Sequence, residues 1–248
     1  MIEFNGVHKS FGGKTVLADF DLRVEKGETF VIIGQSGIGK TVALRHVAGL
    51  IEPDSGEVII DGVRINGATK DVKKRLREKM GVLFQSGALL NYMSVAENVA
   101  LPLEERRLLP RKEIERLVDE KLALLQLSDA KHKAIPDISG GMKKRVALAR
   151  VLMTNPEIIL WDEPTTGLDP VMSSVINELI RRMQREFDVT SLVVTHDMKS
   201  ALYVGDRIGM LFAGRLIEVN TQQGIRNSAN PVVRQFIDGR LEGPIKMS

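Results

Sequence analysis

The sequence predicts an α/β fold in which a parallel-sheet core carries an antiparallel β subdomain and an inserted α-helical subdomain. Three observations support this class. Short apolar runs rich in β-branched residues alternate with segments of helical spacing. A glycine-rich loop, residues 34–41, stands between one such run and one such helix. A β-hairpin pattern precedes this loop, and a long helical stretch follows it over residues 86–150.

The composition limits the function classes. With 248 residues, 43% of them hydrophobic and 27% charged, the chain is ordinary for a globular protein with a substantial core. A formal net charge of +3 is too small to indicate a nucleic-acid partner. The absence of cysteine excludes disulfides, cysteine-based zinc sites and thiol catalysis. No run approaches the roughly 20 apolar residues of a membrane-spanning helix, and no signal peptide is recognisable, so we expect any membrane role to come through partners.

The loop at residues 34–41 reads Gly-Gln-Ser-Gly-Ile-Gly-Lys-Thr. It follows the apolar run Thr29–Ile33, which suits a strand buried on both faces, and it precedes a helical pattern over residues 42–50. Glycines allow successive backbone N–H groups to converge on a polyphosphate near the positive end of the helix dipole. In such a loop Lys40 reaches the β- and γ-phosphates and the Thr41 hydroxyl binds Mg²⁺. A glycine-rich turn without this function is the alternative, and the flanking strand and helix argue against it.

The first 28 residues predict an antiparallel β-hairpin that turns at Gly12 and Gly13. In its second strand apolar residues alternate with charged ones and predict one buried face, made of Val16, Ala18, Phe20, Leu22 and Val24. A hairpin before a phosphate loop indicates an added β layer. Phe11 ends the first strand, where it could stack on an adenine ring, although an isolated phenylalanine is more often a core residue.

The middle of the chain changes from strands to helices. Residues 68–80 are densely charged and predict a helix with a solvated face. After an apolar run that ends at Gln85, residues 86–150 predict a helical subdomain inserted into the α/β core and not a separate folding unit. Its clearest helix covers residues 110–127. The apolar face of that helix is formed by Ile114, Leu117, Val118, Leu122 and Leu125.

A second helix N-terminus follows at Ser139, Gly140 and Gly141. Serine is a favoured N-cap residue, and the two glycines leave N–H groups exposed before an amphipathic run through Val146 and Ala149. Such a helix end can bind a second anion, or the same anion from another side.

Two strand ends carry groups suited to catalysis. The apolar run 158–161 is followed by Asp162 and Glu163. Paired acids at the carboxyl edge of a parallel sheet can order the waters of a metal and accept a proton from an attacking water. Acids that end a strand are also common turn residues, but the phosphate loop makes the catalytic interpretation stronger. The buried run 191–195 ends at His196, which we expect to contact the γ-phosphate.

The last part of the chain predicts a hairpin around Ala213 and Gly214, followed by a polar tail. In the tail, residues 232–236 can form a short helix, and Gly239 and Gly243 indicate an extended end. The sequence indicates no burial site for the apolar residues of this helix.

Together these segments resemble the nucleotide-binding subunit of ABC transporters over nearly the whole chain. In the order typical of that family, the motifs are a Walker A loop at residues 34–41, a Q-loop at Gln85, a signature at residues 139–141, Walker B at residues 158–163, a D-loop at residues 166–169 and a switch histidine at His196. The resemblance implies a P-loop NTPase (RecA-like) core, built as one ABC ATPase domain over residues 1–240. Met142, Ile138, Gln35 and Val42 depart from the commonest family pattern, and none of them removes a charge or a metal ligand.

The resemblance also implies a role for each site residue, with ATP and Mg²⁺ as cofactors. The residues that bind nucleotide would be Phe11, Gly34, Ser36, Gly37, Ile38, Gly39, Lys40, Thr41, Val42, Ser139, Gly140 and Gly141. Mg²⁺ would be held by Thr41, Gln85 and Asp162. The catalytic residues would be Glu163 as general base, His196 at the γ-phosphate, and Gln85.

Partners follow from the same resemblance. Ser139 and Gly141 would bind the γ-phosphate of ATP held by a second copy of this chain, in a head-to-tail dimer. The helical subdomain and Gln85 would face integral-membrane permease subunits, which would place the chain on the cytoplasmic face of the inner membrane. The C-terminal extension, residues 221–248, is expected to contact the partner protomer, so truncation after Pro231 is expected to weaken dimerisation or assembly.

Three stretches are most similar to the ATPase of Mla/MCE-type phospholipid transporters. They are residues 83–89, the Ser-Gly-Gly-Met signature, and residues 233–239 before Gly243 and Pro244. This similarity implies phospholipid transport across or between envelope membranes, with an MCE-domain protein and a STAS-domain regulator as further partners. The alternatives are the ATPase of a polar amino-acid or other small-solute importer, a soluble ABC ATPase that acts on DNA or ribosomes, and a regulatory module that binds ATP without turnover.

Overall fold

The computed structural model describes residues 1–107 and 109–246. Its strands are β1 Ile2–Phe11, β2 Lys14–Val24, β3 Thr29–Ile33, β4 Ser55–Ile60, β5 Val63–Arg64, β6 Met80–Leu83, β7 Ile158–Asp162, β8 Thr190–Thr195, β9 Arg207–Phe212 and β10 Arg215–Thr221. Its helices are α1 Lys40–Val47, α2 Lys70–Glu78, α3 Val95–Arg106, α4 Arg111–Leu124, α5 Gly140–Leu152, α6 Pro170–Phe187, α7 Met198–Val204, α8 Gln222–Arg226 and α9 Pro231–Asp238. Within the described residues, no helix combines the length and the apolar character needed to cross a bilayer.

A central sheet has the strand order β10-β9-β3-β8-β7-β6. Its strand pairs are parallel except for β10 with β9, which form the predicted hairpin around Ala213 and Gly214. Every residue of β3, β7 and β8 is buried, as expected for strands covered on both faces. The parallel strands end together at one edge, where the loops that follow β3, β7 and β8 meet.

A second sheet, antiparallel and in the order β2-β1-β4-β5, forms the predicted β layer. The prediction of a regular alternation along β2 is wrong at its centre. Asp19 adopts a left-handed φ of 52°, and the pairing of β1 with β2 shifts register nearby. This irregularity puts Leu17 in the core, whereas Val16 and Ala18 are only half-buried. The strand residues after Asp19 alternate as predicted.

Two hydrophobic cores lie on opposite faces of the central sheet. On one face, Ile32 and Leu160 belong to the core that includes α1, α2 and the antiparallel sheet. On the other face, Val31 and Trp161 belong to the core that includes α3 to α9. Successive residues of one strand therefore point into different cores.

The stretch predicted as a helical subdomain, residues 86–150, contains α3, α4 and most of α5. Its residue 108 lies outside the described residues. The predicted apolar face of α4 is largely confirmed, because Ile114, Val118 and Leu122 are buried. Helix α5 packs on both α3 and β6, so the core of this subdomain is continuous with the core on that face of the central sheet. This continuity is consistent with one folding unit.

The tail folds back onto the chain, so the prediction of an extended end is wrong. Helix α9 buries Val232 and Val233 in the core shared by α3 to α9. The Gln235 side chain donates to the carbonyl oxygen of Ile245 at 3.1 Å and accepts from the N–H of Ile245 at 2.7 Å, and Ile245 is itself buried. The apolar residues of the tail helix thus have a burial site in their own chain. Residues 247 and 248 lie outside the described residues.

Candidate active site

The loop between β3 and α1 is bent by glycines in conformations that other residues avoid. Gly37 and Gly39 have φ values of 78° and 115°. A Cβ atom at Gly39 would lie 2.5 Å from Val16 Cγ1, so the backbone conformation and the contact with β2 both require glycine. Helix α1 begins at Lys40, directly after this turn, so its first N–H groups face the loop.

Lys40 is buried inside this loop. Its Nζ donates hydrogen bonds to the carbonyl oxygens of Gly34 at 2.8 Å and Gln35 at 2.9 Å, and it lies 3.4 Å from Glu163 Oε1. Burial lowers the pKa of Lys40, and the charge of Glu163 opposes that shift. An ammonium group inside a loop of backbone N–H groups is arranged to bind an anion.

Thr41 and Asp162 join the loop to the end of β7. Thr41 Oγ1 donates to Asp162 Oδ1 at 2.9 Å, and Gln85 lines the same cavity as Thr41. Burial raises the pKa of Asp162, and the hydrogen bond from Thr41 opposes this shift. Hydroxyl, amide and carboxylate oxygens are ligands suited to Mg²⁺. The described residues contain no group of three or more His, Asp or Glu side chains suited to a metal.

The carboxylate of Glu163 is held through both oxygens. Its Oε2 accepts hydrogen bonds from His196 Nδ1 at 2.9 Å and from the hydroxyls of Thr166 and Thr195 at 3.1 and 3.2 Å, while Oε1 faces Lys40. Burial favours the neutral acid, but the hydrogen bond from His196 and the charge of Lys40 outweigh it and lower the pKa of Glu163. Glu163 is therefore ionised at neutral pH. Because an ionised carboxylate only accepts, His196 carries a proton on Nδ1.

The backbone at Glu163 is also unusual. Its φ is 49°, in the left-handed region that residues other than glycine rarely adopt, and its N–H donates to the carbonyl oxygen of Val194 at 2.9 Å. Such a conformation costs about 1 kcal/mol or more and is concentrated at functional sites.

These groups surround one cavity of about 360 Å³. The lining residues are Val16, Ser36, Gly37, Gly39, Lys40, Thr41, Val42, Gln85, Glu163 and His196. The structure therefore brings most of the predicted phosphate loop together with Gln85, Glu163 and His196. Asp162 lies directly behind Thr41, to which it is hydrogen bonded.

Three predicted nucleotide-binding residues from the first half of the chain, Phe11, Gly34 and Ile38, lie outside this lining. Phe11, at the end of β1, is 46% exposed, and the Nζ of Lys9 lies 5.3 Å from its ring centroid. Ile38 lines a neighbouring cavity between the loop and the hairpin turn at Gly214. The aromatic ring predicted to stack on adenine is thus open to solvent in the single chain.

Ser139, Gly140 and Gly141 form the start of α5 and do not line the cavity. The predicted N-cap is confirmed, because Ser139 Oγ accepts from the N–H of Met142 at 3.3 Å. Gly140 is exposed, whereas a Cβ atom at Gly141 would lie 2.3 Å from Met172 Cε. One chain alone therefore does not bring these three residues into the cavity of its own phosphate loop.

The chain also matches a known protein family in sequence. The model of the family described as ABC transporter matches residues 17–166, which is more than half of the chain. The chain belongs to the ABC transporter family. It is an ATP-binding and ATP-hydrolysing subunit of that family. The matched residues include the loop at 34–41, the start of α5, and both Asp162 and Glu163.

Individual members of the ABC family are similar over nearly the full chain. The chain is 43% identical over 247 residues to the probable ribonucleotide transport ATP-binding protein Mkl of Mycobacterium tuberculosis, an alignment that spans 100% of this chain and 69% of Mkl. It is 36% identical over 245 residues to the intermembrane phospholipid transport system ATP-binding protein MlaF of Escherichia coli, over 99% of this chain and 91% of MlaF. Its structure is similar to the dimeric ATP-binding cassette MJ0796, solved in a post-hydrolysis state bound to ADP and Pi. That similarity has a TM-score of 0.82 and 33% sequence identity, over 90% of this chain and 99% of that chain.

Sequence reasoning missed one charged group beside this ABC ATPase site. Lys144, in α5, is buried, and its Nζ donates to the main-chain carbonyl oxygen of Gln85. Burial lowers its pKa, and the charges of two nearby acids, Asp162 and Glu163, oppose that shift. The sequence did indicate this burial, because Lys144 lies at helical spacing from the apolar residues of α5 and so on its buried face. Sequence reasoning also missed the hydroxyls that hold Glu163, for which no local pattern exists.

Proposed function

We propose that this ABC ATPase powers phospholipid transport across or between membranes through a separate permease. The observation that carries the catalytic part of the proposal is the buried carboxyl group of Glu163, which lies 3.4 Å from Lys40 in the cavity of the phosphate loop. The lipid part is supported by the 36% identity to MlaF over 99% of this chain. The stretches at residues 83–89 and 233–239, which resemble Mla/MCE-type ATPases, support it as well.

In this proposal the phosphate loop holds the polyphosphate of ATP. Backbone N–H groups of residues 36–41 bind the phosphate oxygens, and Lys40 exchanges its bonds to loop carbonyls for bonds to the β- and γ-phosphates. Thr41, Gln85 and Asp162 hold Mg²⁺, which when bound neutralises charge that develops on the phosphates.

The hydrolytic step uses Glu163 as the general base. Its lowered pKa keeps it ionised, so that it accepts a proton from the water whose oxygen attacks the γ-phosphorus while the bond to the β-phosphate oxygen breaks. His196 is held to Glu163 through Nδ1 and directs the other edge of its ring to the γ-phosphate. The residues that orient the water and those that bind the phosphate are thus hydrogen bonded to one another before the reaction starts.

A second copy of the chain completes the site. Ser139 and Gly141 at the start of α5 do not reach the cavity of their own chain, and we propose that they bind the γ-phosphate held by the partner protomer. The dimeric state of the similar cassette MJ0796, at 33% identity, supports a pair, which we propose to be head to tail. Loss of the γ-phosphate would then open the interface, because the anion shared by two helix ends is gone.

The remaining parts of the proposal concern partners. We propose that Phe11 stacks on the adenine ring, and that integral-membrane permease subunits dock on the helical subdomain and hold the chain at the cytoplasmic face of the inner membrane. An MCE-domain protein and a STAS-domain regulator would complete the complex. The tail, residues 221–248, would contact the partner protomer as well as its own core.

The catalytic part is tested with Glu163→Gln in the full-length chain. ATP binding, measured with a fluorescent ATP analogue, should persist, and the closed dimer should accumulate in size-exclusion chromatography with ATP. ATP hydrolysis should fall about 100-fold or more, the loss typical of removing a general base. The matched control is Glu157→Gln, because Glu157 directly precedes β7, is half exposed and pairs with Lys79, and this variant should hydrolyse ATP like the wild type. Wild-type rates in Glu163→Gln would remove Glu163 from the base role.

The cargo is tested by purifying the chain with its native membrane partners and reconstituting the complex in lipid vesicles. A labelled phospholipid should move between acceptor and donor vesicles at a rate that depends on ATP and is abolished by Glu163→Gln. A ribonucleotide, the solute class in the name of Mkl, or a polar amino acid is the competing cargo. Stimulation of ATP hydrolysis by either of these, with no lipid movement, would overturn the lipid assignment and leave the ATPase assignment intact.

A further inference from the structure

The segment at residues 85–88, which carries Gln85, is held by cations from α5. Lys144 Nζ donates to the carbonyl oxygen of Gln85. Arg150 donates to the carbonyl oxygens of Gly87 at 2.7 Å and Ala88 at 2.8 Å. These three are the side-chain hydrogen bonds recorded between residues 85–88 and the rest of the described chain. The side-chain hydrogen bonds of the segment therefore fasten it to α5.

The packing of this segment supports the same conclusion. Gly87 and Ala88 both have positive φ values, 74° and 47°, so the backbone here is neither strand nor helix. A Cβ atom at Gly87 would lie 3.3 Å from the Cβ of Ala147 in α5. The backbone of the segment thus lies directly on the helix, between the points where Lys144 and Arg150 bind it.

The charges of the catalytic acids also act on Lys144. Its side chain is buried, and Asp162 and Glu163 are the groups whose charges act on it. A buried cation is stable only when nearby acceptors and opposite charges compensate for lost hydration. Here the Gln85 carbonyl is the acceptor, and the charges of Asp162 and Glu163 also favour the cation.

We propose that Lys144 is a positioning residue that fastens the segment carrying Gln85 to the helix that begins at Ser139, so that the two move as one unit. This inference rests on the proposed function, in which Gln85 faces the metal of its own chain and Ser139 faces the nucleotide of the partner. Movement of Ser139 toward the partner's ATP would then shift Gln85 in its own site. Lys144 would link the two sites of the dimer without touching either nucleotide.

The test is Lys144→Met in the full-length chain, which keeps the apolar stem and removes the donor and the charge. Without nucleotide, hydrogen exchange of the backbone amides at residues 85–88 should become about tenfold faster, the factor expected when a hydrogen bond to a charged group is lost. Binding of a fluorescent ATP analogue in EDTA should stay within about twofold, because the phosphate loop is untouched. The Mg²⁺ concentration for half-maximal ATP hydrolysis should rise about tenfold or more, as for other residues that orient a metal ligand.

Two further variants distinguish a link made by the charged donor of Lys144 from an effect of side-chain packing alone. Lys144→Arg keeps a charged donor and should restore most of the Mg²⁺ dependence. Lys143→Met changes the neighbouring, half-buried lysine and should behave as the wild type in all three measurements. If Lys144→Met leaves both the exchange at residues 85–88 and the Mg²⁺ dependence unchanged, or if Lys144→Arg is as impaired as Lys144→Met, the proposal is wrong.

The exchange measurement needs no ATP turnover, so it tests the link even if the proposed function fails. If Lys144→Met does not fold, Lys144→Gln takes its place, since glutamine keeps a donor for the Gln85 carbonyl but lacks the charge. Intermediate exchange at residues 85–88 is expected for that variant. Wild-type exchange and wild-type Mg²⁺ dependence in Lys144→Gln would show that the charge contributes nothing, and would overturn the proposal that a charged lysine fastens the segment.

Discussion

The phosphate loop at residues 34–41 and the signature at residues 139–141 are both glycine-containing starts of a helix, yet their surroundings differ. At the phosphate loop a buried lysine, Lys40, lies 3.4 Å from the buried acid Glu163. At the signature the Ser139 hydroxyl accepts from a backbone N–H of its own helix. Neither α1 nor α5, both of which the structure describes in full, carries an acid in its first turn, so the acid at the phosphate loop comes from another segment, directly after β7.

This difference indicates that the two helix starts have different functions. The charged groups that hold and attack the phosphate come from one chain, whereas the signature offers N–H groups and a hydroxyl to a site that is not its own. Changes in the phosphate loop should therefore impair nucleotide binding by a single chain. Changes in the signature should spare binding and impair hydrolysis by the pair.

The largest effect is expected for Gly39→Ala. Alanine at a φ of 115° is strained, and its Cβ would lie 2.5 Å from Val16 Cγ1 and 3.1 Å from the Val16 carbonyl oxygen, so β2 must shift. Strain and overpacking together should lower the free energy of unfolding by about 2–4 kcal/mol. Nucleotide binding should be lost with it. Urea unfolding and titration with a fluorescent ATP analogue measure the two effects.

Gly141→Ala is the matched change in the signature. Its backbone φ is not positive, and the atom nearest the new Cβ is Cε of Met172, the end of a flexible side chain. Stability should stay within about 1 kcal/mol of the wild type because alanine also favours the helix. Nucleotide binding by the single chain should be retained. Equal losses of stability or of binding in the two variants would remove the distinction between the two helix starts.

A smaller effect is expected for Ser139→Ala. Loss of the cap should cost about 1 kcal/mol of stability. ATP hydrolysis should fall roughly tenfold, the factor that corresponds to one lost hydrogen bond to a charged group, while binding by the single chain persists. The control is Ser94→Ala, because Ser94 caps α3 with a bond of the same length, 3.3 Å, to the N–H of Glu97. A similar loss of hydrolysis in both variants would assign the effect to helix capping alone.

The smallest effect is expected in the pH dependence of stability. Burial alone would raise the pKa of Glu163, but the hydrogen bond from His196 and the charge of Lys40 bring it below the ordinary value of 4.5. A lowered folded-state pKa stabilises the folded chain above pH 4.5, and that contribution is lost as the pH falls through the lowered pKa. Urea unfolding at several pH values should therefore show the wild type losing stability relative to Glu163→Gln only on the acid side. The difference between the wild type and Ser139→Ala should not change with pH.

Local patterns made much of the fold and site predictable. The strand, the loop at residues 34–41 and the following helix are consecutive in the chain, and so are β7 with its two acids. Their meeting at one edge follows from the rule that parallel strands end together. No chemical pattern around Gln85 indicated its role, which was predicted only from the family resemblance.

The features that sequence reasoning missed depend on contacts between distant segments. The left-handed Asp19 shifts the face of β2 through its pairing with β1, and no pattern within β2 shows this. Val233 belongs to a hydrophobic core whose other members lie mostly far from it in the chain, so its helix appeared to lack a burial site. Lys144 contacts the Gln85 carbonyl, which lies 59 residues away in the chain, so no local pattern shows this contact.

The separation of the two hydrophobic cores by the central sheet has a consequence for divergence. Neighbours such as Val31 and Ile32 point into different cores, so side-chain volume can change on the helical face while packing on the β face stays as it is. A lineage built on this plan could replace the residues of its helices to suit a new partner and keep its nucleotide chemistry. Rates of accepted substitution would then differ between the two faces of one sheet.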